Sequence, residues 1–298
     1  MSAPATATPA TAAPARKPRS ARFSNDLDIT QVAPGYDRST DSVRFAYQMS
    51  RRQKVNTLQL LIIVGAIWFI SLVNGELALK YLLPIKVAPV VLMIAMALIL
   101  GDSRSYGLRV AFGLGLCAIG NICFELEGSI AADVPIFLFG MGFFVAGLCT
   151  FLYAFSANRI ASSLTTSALP VAYAAVVFNV LRPTVPASLL GPVFAYAAVI
   201  AALLFLAFSR DPEGSASQWS WRCACGGAAA FTVTSTLLGY NRFVGAVPHA
   251  KYIYTVCYYL AQYLITMSVK GARVRPLSKT LGSVEDFQKG QAFRTGEQ

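Results

Sequence analysis

Charged side chains are scarce in this 298-residue chain: Asp, Glu, Lys and Arg together make up 13% of it, where soluble domains carry about 25%. Histidine occurs once, which leaves no set of imidazoles from which to assemble a protein-built zinc site. Cysteine is little used. The six cysteines, Cys117, Cys123, Cys149, Cys223, Cys225 and Cys257, lie in or beside apolar runs, and the close pair Cys223 and Cys225 lacks the two-residue gap of zinc and redox motifs. They read as small apolar fillers. No metal and no other cofactor is expected. Nor is any segment between the apolar runs long enough to form a soluble domain, so any chemistry has to take place inside an apolar assembly.

What fills the sequence is hydrocarbon: 55% of its residues are hydrophobic. Uncharged runs occur at 56–75, 87–101, 110–124, 134–158, 160–181, 183–209, 223–241 and 252–269. A bilayer-spanning helix needs about 20 mostly apolar residues, and the second and third runs reach that length by extending N-terminally past Lys86 and Arg109. The reading is an all-α, polytopic membrane protein, an eight-transmembrane-helix bundle over residues 56–270. Residues 1–55, which open on an Ala/Pro-rich tract without the apolar core of a signal peptide, and residues 271–298 are expected to be disordered basic cytosolic tails.

The formal net charge of +11 would suit a nucleic-acid partner, but its distribution excludes one. Arg51, Arg52, Lys54, Arg104, Arg109, Arg159, Arg210, Arg222, Lys270, Arg273, Arg275 and Lys279 fall on one side of the expected spans; Lys80, Arg182, Arg242 and Lys251 fall on the other. By the positive-inside rule, this places both N and C termini in the cytoplasm. The basic excess meets anionic headgroups. The expected partner is therefore the lipid bilayer, with homo-oligomer formation left open. The long N-terminal tail favours the endoplasmic reticulum or another endomembrane of a eukaryotic cell.

Residues 113–128, GLGLCAIGNICFELEG, hold the first candidate site. Asn121 and Glu125 stand four apart and share one face of a helix. Hydrocarbon offers a polar side chain no partner, so Asn121 marks either a functional site or a helix-packing hydrogen bond. Both readings stay open at this point. Lys86, between Pro84 and Pro89, is the one basic residue clearly drawn toward an apolar run, and it either turns inward or snorkels to water. Gly142, Ala146 and Thr150 recur at four-residue spacing, a small-residue face of the kind that lets helices approach closely. The seventh run carries Thr232, Thr234, Ser235 and Thr236, with Asn241 and Arg242 at its outer end. In the eighth, Tyr254, Tyr258 and Gln262 fall on one face, with Gln262 deepest.

Four segments in order resemble the YhhN-like family of integral-membrane lysoplasmalogenases: Lys86 with Pro89; GLGLCAIGN followed by FLFGMGFFVAGLCTFLYAF; AAFTVTSTLLGYNRF; and YYLAQYLI. The likeness covers roughly residues 57–270. It implies an eight-helix bundle acting on lysoplasmalogens, whose vinyl ether bond the family cleaves to a fatty aldehyde and a glycerophospho-headgroup. Protonation at carbon followed by attack of water calls for a proton donor and a group that activates water, a task for two buried carboxyls. The family pattern places one aspartate after the glycine of span three, another after the serine of span seven, and a histidine in span four. Here those positions read Asn121, Ser235 (following Thr234) and, judged from Tyr153, Thr150. An amide and a hydroxyl have no usable proton to exchange near neutral pH.

Two readings follow from the resemblance. In the first, the protein keeps the fold and binds a lysophospholipid or lysoplasmalogen with hydrolysis lost or altered, and Thr150, Thr234, Asn241, Tyr258 and Gln262 line its cavity. In the second, catalysis is relocated to Glu125 with Lys86 beside it. That requires Asn121, Glu125, Lys86 and Ser235 to converge on one cavity. A small-molecule transporter is the third reading, and the weak charge content of the spans speaks against ion coupling.

Overall fold

A computed structural model describes residues 38–72, 79–130, 134–156, 164–210 and 217–272. They form eight α-helices: α1 (Arg38–Leu72), α2 (Leu79–Leu100), α3 (Arg104–Ile130), α4 (Val134–Ser156), α5 (Leu164–Leu181), α6 (Ala187–Ser209), α7 (Gln218–Phe243) and α8 (Ala250–Met267). Among the described residues, each uncharged run supplies the body of one helix. Stretches of α1, α2, α3, α4 and α6 are long and apolar enough to cross a membrane, so the chain is an all-α integral membrane protein. The apolar stretch of α5 is shorter, Pro170–Leu181. Hydroxyls dilute α7 and tyrosines dilute α8. Helix α1 starts at Arg38, ahead of its apolar run, so 38–55 is helical where a disordered tail is expected. The remainder of that tail, and 273–298, lie outside the described residues.

Met1–Tyr47 forms one unit, of which only the first residues of α1 are described, and Gln48–Gln298 forms another. Within the second unit, packing runs α2–α3–α4–α6–α7–α8 and returns to α2, a closed ring of six helices. Helix α5 lies outside the ring, against α6 and lightly on α7. Helix α1 reaches the ring through side chains: Ile62 and Phe69 are buried, and Gln59 Nε2 donates to the Tyr263 hydroxyl at 3.2 Å.

The α3–α4 seam is held close by Gly113 and Gly120 facing Gly140 and Gly147. A Cβ on Gly120 would stand 2.8 Å from the Gly140 carbonyl oxygen, and one on Gly147 2.7 Å from Cys117 Sγ. The small-residue face expected at Gly142, Ala146 and Thr150 is not the one used. A Cβ on Gly142 meets nothing within 4 Å, and Ala146 is exposed. The reason is angular: at about 100° per residue, Gly142 lies about 200° around the helix from Gly140.

At the end of the ring where α3 and α7 begin and α6 and α8 finish, polar groups pin the helices together. Arg210 is 1% exposed, donates to Ser220 Oγ at 3.0 Å and lies 5.3 Å from the ring centroids of both Tyr106 and Phe155. The Tyr106 and Ser268 hydroxyls share a hydrogen bond of 3.1 Å. Arg51 donates to the Ile99 carbonyl at 2.8 and 3.2 Å, which satisfies one of the orphan acceptors that end α2.

Candidate functional site

At the other end of the ring, five helices enclose a polar cavity of about 260 Å³. Helix α2 supplies Lys86; α3 supplies Asn121, Glu125 and Glu127; α4 supplies Phe137 and Phe144. Helix α7 brings Thr234, Asn241 and Arg242, and α8 brings Tyr254, Thr255, Tyr258 and Tyr259. Helix α2 runs unbroken through both of its prolines, and the Lys86 side chain turns inward.

Lys86 Nζ donates to Glu125 Oε2 at 2.6 Å, with the two side chains only 10% and 12% exposed. Lys86 Nζ also lies 3.5 Å from the Asn121 carbonyl oxygen, and Lys251 Nζ stands 3.9 Å from the second Glu125 oxygen. The Tyr259 hydroxyl donates to the Lys86 carbonyl at 2.7 Å, joining α8 to α2. Across the cavity Arg242 grips Glu127 with both terminal nitrogens, at 2.9 and 3.1 Å, and stacks 3.9 Å over the Phe137 ring. An unpaired charge at this depth is costly. Both carboxylates on the cavity wall accordingly hold a cation, and the wall carries two charge pairs.

The neutral groups are tethered as well. Asn121 and Tyr258 both face the cavity, and the Tyr258 hydroxyl donates to the Cys117 carbonyl at 3.4 Å. Thr234 Oγ1 donates to the Tyr254 carbonyl at 3.3 Å. Asn241 Oδ1 accepts from the Val247 backbone at 3.0 Å and so closes the loop between α7 and α8.

Of the nine residues proposed from sequence, Lys86, Asn121, Glu125, Thr234, Asn241 and Tyr258 line this cavity. Three do not. Ser235 follows Thr234 by one residue and so points about 100° away; it lines the neighbouring apolar cavity and shares a 3.0 Å hydrogen bond with Tyr196. The four-residue convergence of Asn121, Glu125, Lys86 and Ser235 is therefore met by three. Thr150 lies on the outward side of α4, in a groove with Arg109 and Tyr153, where its hydroxyl donates to the Ala146 carbonyl at 2.9 Å. Gln262 sits one turn beyond Tyr258, fully buried, and neither of its amide atoms has a hydrogen-bond partner among the described residues.

Sequence reasoning missed the Arg242–Glu127 pair. Both residues adjoin the proposed site in sequence, Arg242 next to Asn241 and Glu127 two beyond Glu125. Their separation of 115 residues hides the pairing, and only their opposite sign at the same end of the bundle points to it.

A second, apolar cavity of about 70 Å³ lies between α3, α4, α5, α6 and α7. It shares Phe124, Phe137, Leu238 and Arg242 with the polar one, so the two adjoin.

Fold and cavity together define a class: a helical membrane protein with a charged chamber at one end of a six-helix ring. The YhhN family's sequence profile matches residues 79–269, α2 through α8 complete, and the chain belongs to the YhhN family. It is similar to the pig (Sus scrofa) protein named lysoplasmalogenase TMEM86B, with 26% identity over 185 residues, 62% of this chain and 74% of the relative. The human (Homo sapiens) protein of the same name is 27% identical over 198 residues, 66% of this chain and 77% of the relative. No solved structure matches the chain.

Proposed function

We propose that this YhhN-family protein binds a lysophospholipid or lysoplasmalogen, with its headgroup in the polar cavity and the adjoining methylenes of its hydrocarbon chain in the apolar one. The observation that carries this reading is the adjacency itself: a cavity walled by two ion pairs opens beside one walled almost wholly by hydrocarbon. A zwitterionic headgroup is complementary to such a wall. Its phosphate suits Lys86, Lys251 and Arg242, and its amine suits Glu125 and Glu127. The two positions where the family carries an aspartate are neutral here, Asn121 and Ser235. An ion-paired carboxylate accepts hydrogen bonds and has none to give, so neither Glu125 nor Glu127 presents an acidic O–H to a vinyl ether. The charge distribution along the sequence supports cytoplasmic termini, which puts the polar cavity at the non-cytoplasmic end.

Vinyl ether hydrolysis is the second reading, in a reduced form carried by Lys86 and Glu125 alone, because Ser235 faces the neighbouring cavity and the four-residue convergence fails. Two observations favour it: the names of the relatives, and the Lys86–Glu125 contact one turn from Asn121. There the Lys86 ammonium would deliver a proton to the vinyl carbon, and the Glu125 carboxylate would activate the water that attacks the oxocarbenium carbon.

The test gives purified protein lysoplasmenyl-ethanolamine and follows both binding and aldehyde. Saturable binding without aldehyde supports the first reading. Aldehyde release that disappears in Glu125→Gln overturns it in favour of the second. Absence of both binding and aldehyde overturns both readings.

A further inference from the structure

Three cavities lie in series from the interior of the ring to its outer surface. The polar cavity adjoins the apolar one, as described. The apolar one in turn adjoins a groove of about 510 Å³ on the outward face of α5 and α6. The residues common to the inner cavity and the outer groove are Ala174 and Ala197. Both shared residues carry only a methyl side chain.

The surrounding sequence is suited to a passage. The groove floor is rich in alanine, with four more alanines beyond the shared pair. Phe178 of α5 and Phe194 of α6 meet edge-to-face across it, ring centroids 5.1 Å apart at 71°. Helix α5 stands outside the closed ring, so a displacement of α5 would leave the ring closed. Pro170 in α5 and Pro192 in α6 each remove a backbone hydrogen bond and make local bending easier. The face itself is turned toward the bilayer, where the available ligand is a hydrocarbon chain.

We infer that the α5–α6 groove is the lateral entrance for the single hydrocarbon chain of a bound lysolipid, which passes between Ala174 and Ala197 into the apolar cavity while the headgroup stays at the polar one. This rests on the lysolipid-binding reading. The occupant is a single-chain amphiphile, because the shared wall spans only one residue on each helix. Phe178 and Phe194 act as the outer leaves of the entrance and cover the chain on the bilayer side.

The test uses full-length protein in nanodiscs and a lysophosphatidylethanolamine carrying a diazirine near the end of its chain. Photolabelling is expected on residues 171–205, displaced by excess unlabelled lysophosphatidylethanolamine. Ala197→Cys, treated with a bulky methanethiosulfonate, is expected to lose that label by about tenfold, the equivalent of roughly two methylenes of lost contact, and to regain it on reduction. Wild type treated identically accounts for the native cysteines, and recovery on reduction shows that the protein stayed folded. Label that is not displaced, label confined to other helices, or labelling unchanged by the reversible block overturns the entrance. If instead wild type shows no saturable lysolipid binding at all, the lysolipid reading itself has failed, and the entrance fails with it.

Discussion

Arg242, in the last turn of α7, holds Glu127, near the end of α3, through two parallel hydrogen bonds of 2.9 and 3.1 Å. A fork-to-fork pair of this kind fixes orientation as well as distance. It sets the two helices at the mouth of the chamber relative to each other, and its guanidinium forms part of the wall of both cavities. Arg242→Lys keeps the charge and loses the fork. The expected outcome is a protein that still folds but binds lysolipid several-fold more weakly, measured by titration in detergent micelles. Binding unchanged in Arg242→Lys removes the fork from the account.

The Lys86–Glu125 pair makes a prediction about stability. Both side chains are nearly buried, and removing one partner of a buried pair strands the other charge at a cost of about 3–5 kcal/mol, whereas replacing both with neutral groups costs much less. Lys86→Met and Glu125→Gln are therefore each expected to lower the melting temperature in detergent. The double variant is expected to melt above the less stable single. A double variant no more stable than either single contradicts a direct pair.

The α3–α4 seam separates two readings of the same motif. Gly120→Ala forces a Cβ to within 2.8 Å of the Gly140 carbonyl oxygen and is expected to destabilise by about 1–3 kcal/mol through overpacking. Gly142→Ala meets open space and is expected to be neutral or to stabilise by about 0.5–1 kcal/mol, as alanine replaces glycine within a helix. Thermal melts of the two variants, measured side by side, decide this.

Asn121 stands where the resemblance to the family implies an acid. Asn121→Asp places a carboxyl on the cavity wall that Tyr258 also lines. If hydrolysis was lost with that acid, aldehyde release from lysoplasmenyl-ethanolamine should rise above wild type. Thr150→Ala, on the outward face of α4, is expected to leave both binding and aldehyde release unchanged.

How much of this was legible in the sequence depends on the range of the interaction. The eight helices were legible because hydrocarbon imposes a length on each uncharged run, and the glycine and proline positions did not alter that. The Asn121–Glu125 face was legible because four-residue spacing is a property of one helix. Thr150 and Ser235 were misplaced because which face of a helix meets the ring is decided by packing. Small residues at Gly142 and Gly140 look alike in the sequence and differ by about 200° in direction. The Glu127–Arg242 pair was hidden by a separation that no local pattern spans.

The closed ring has a consequence for how the protein is made. Lys86 and Glu125 belong to successive helices, so a nascent α2–α3 hairpin neutralises its own buried charges as soon as its second arm is inserted. Glu127 must wait for α7, and the ring closes only when α8 meets α2. For much of its synthesis the chain therefore carries an unmatched carboxylate at the rim of the membrane. Ribosome-stalled chains ending before Arg242 should be the ones that membrane chaperones and quality-control proteases retain.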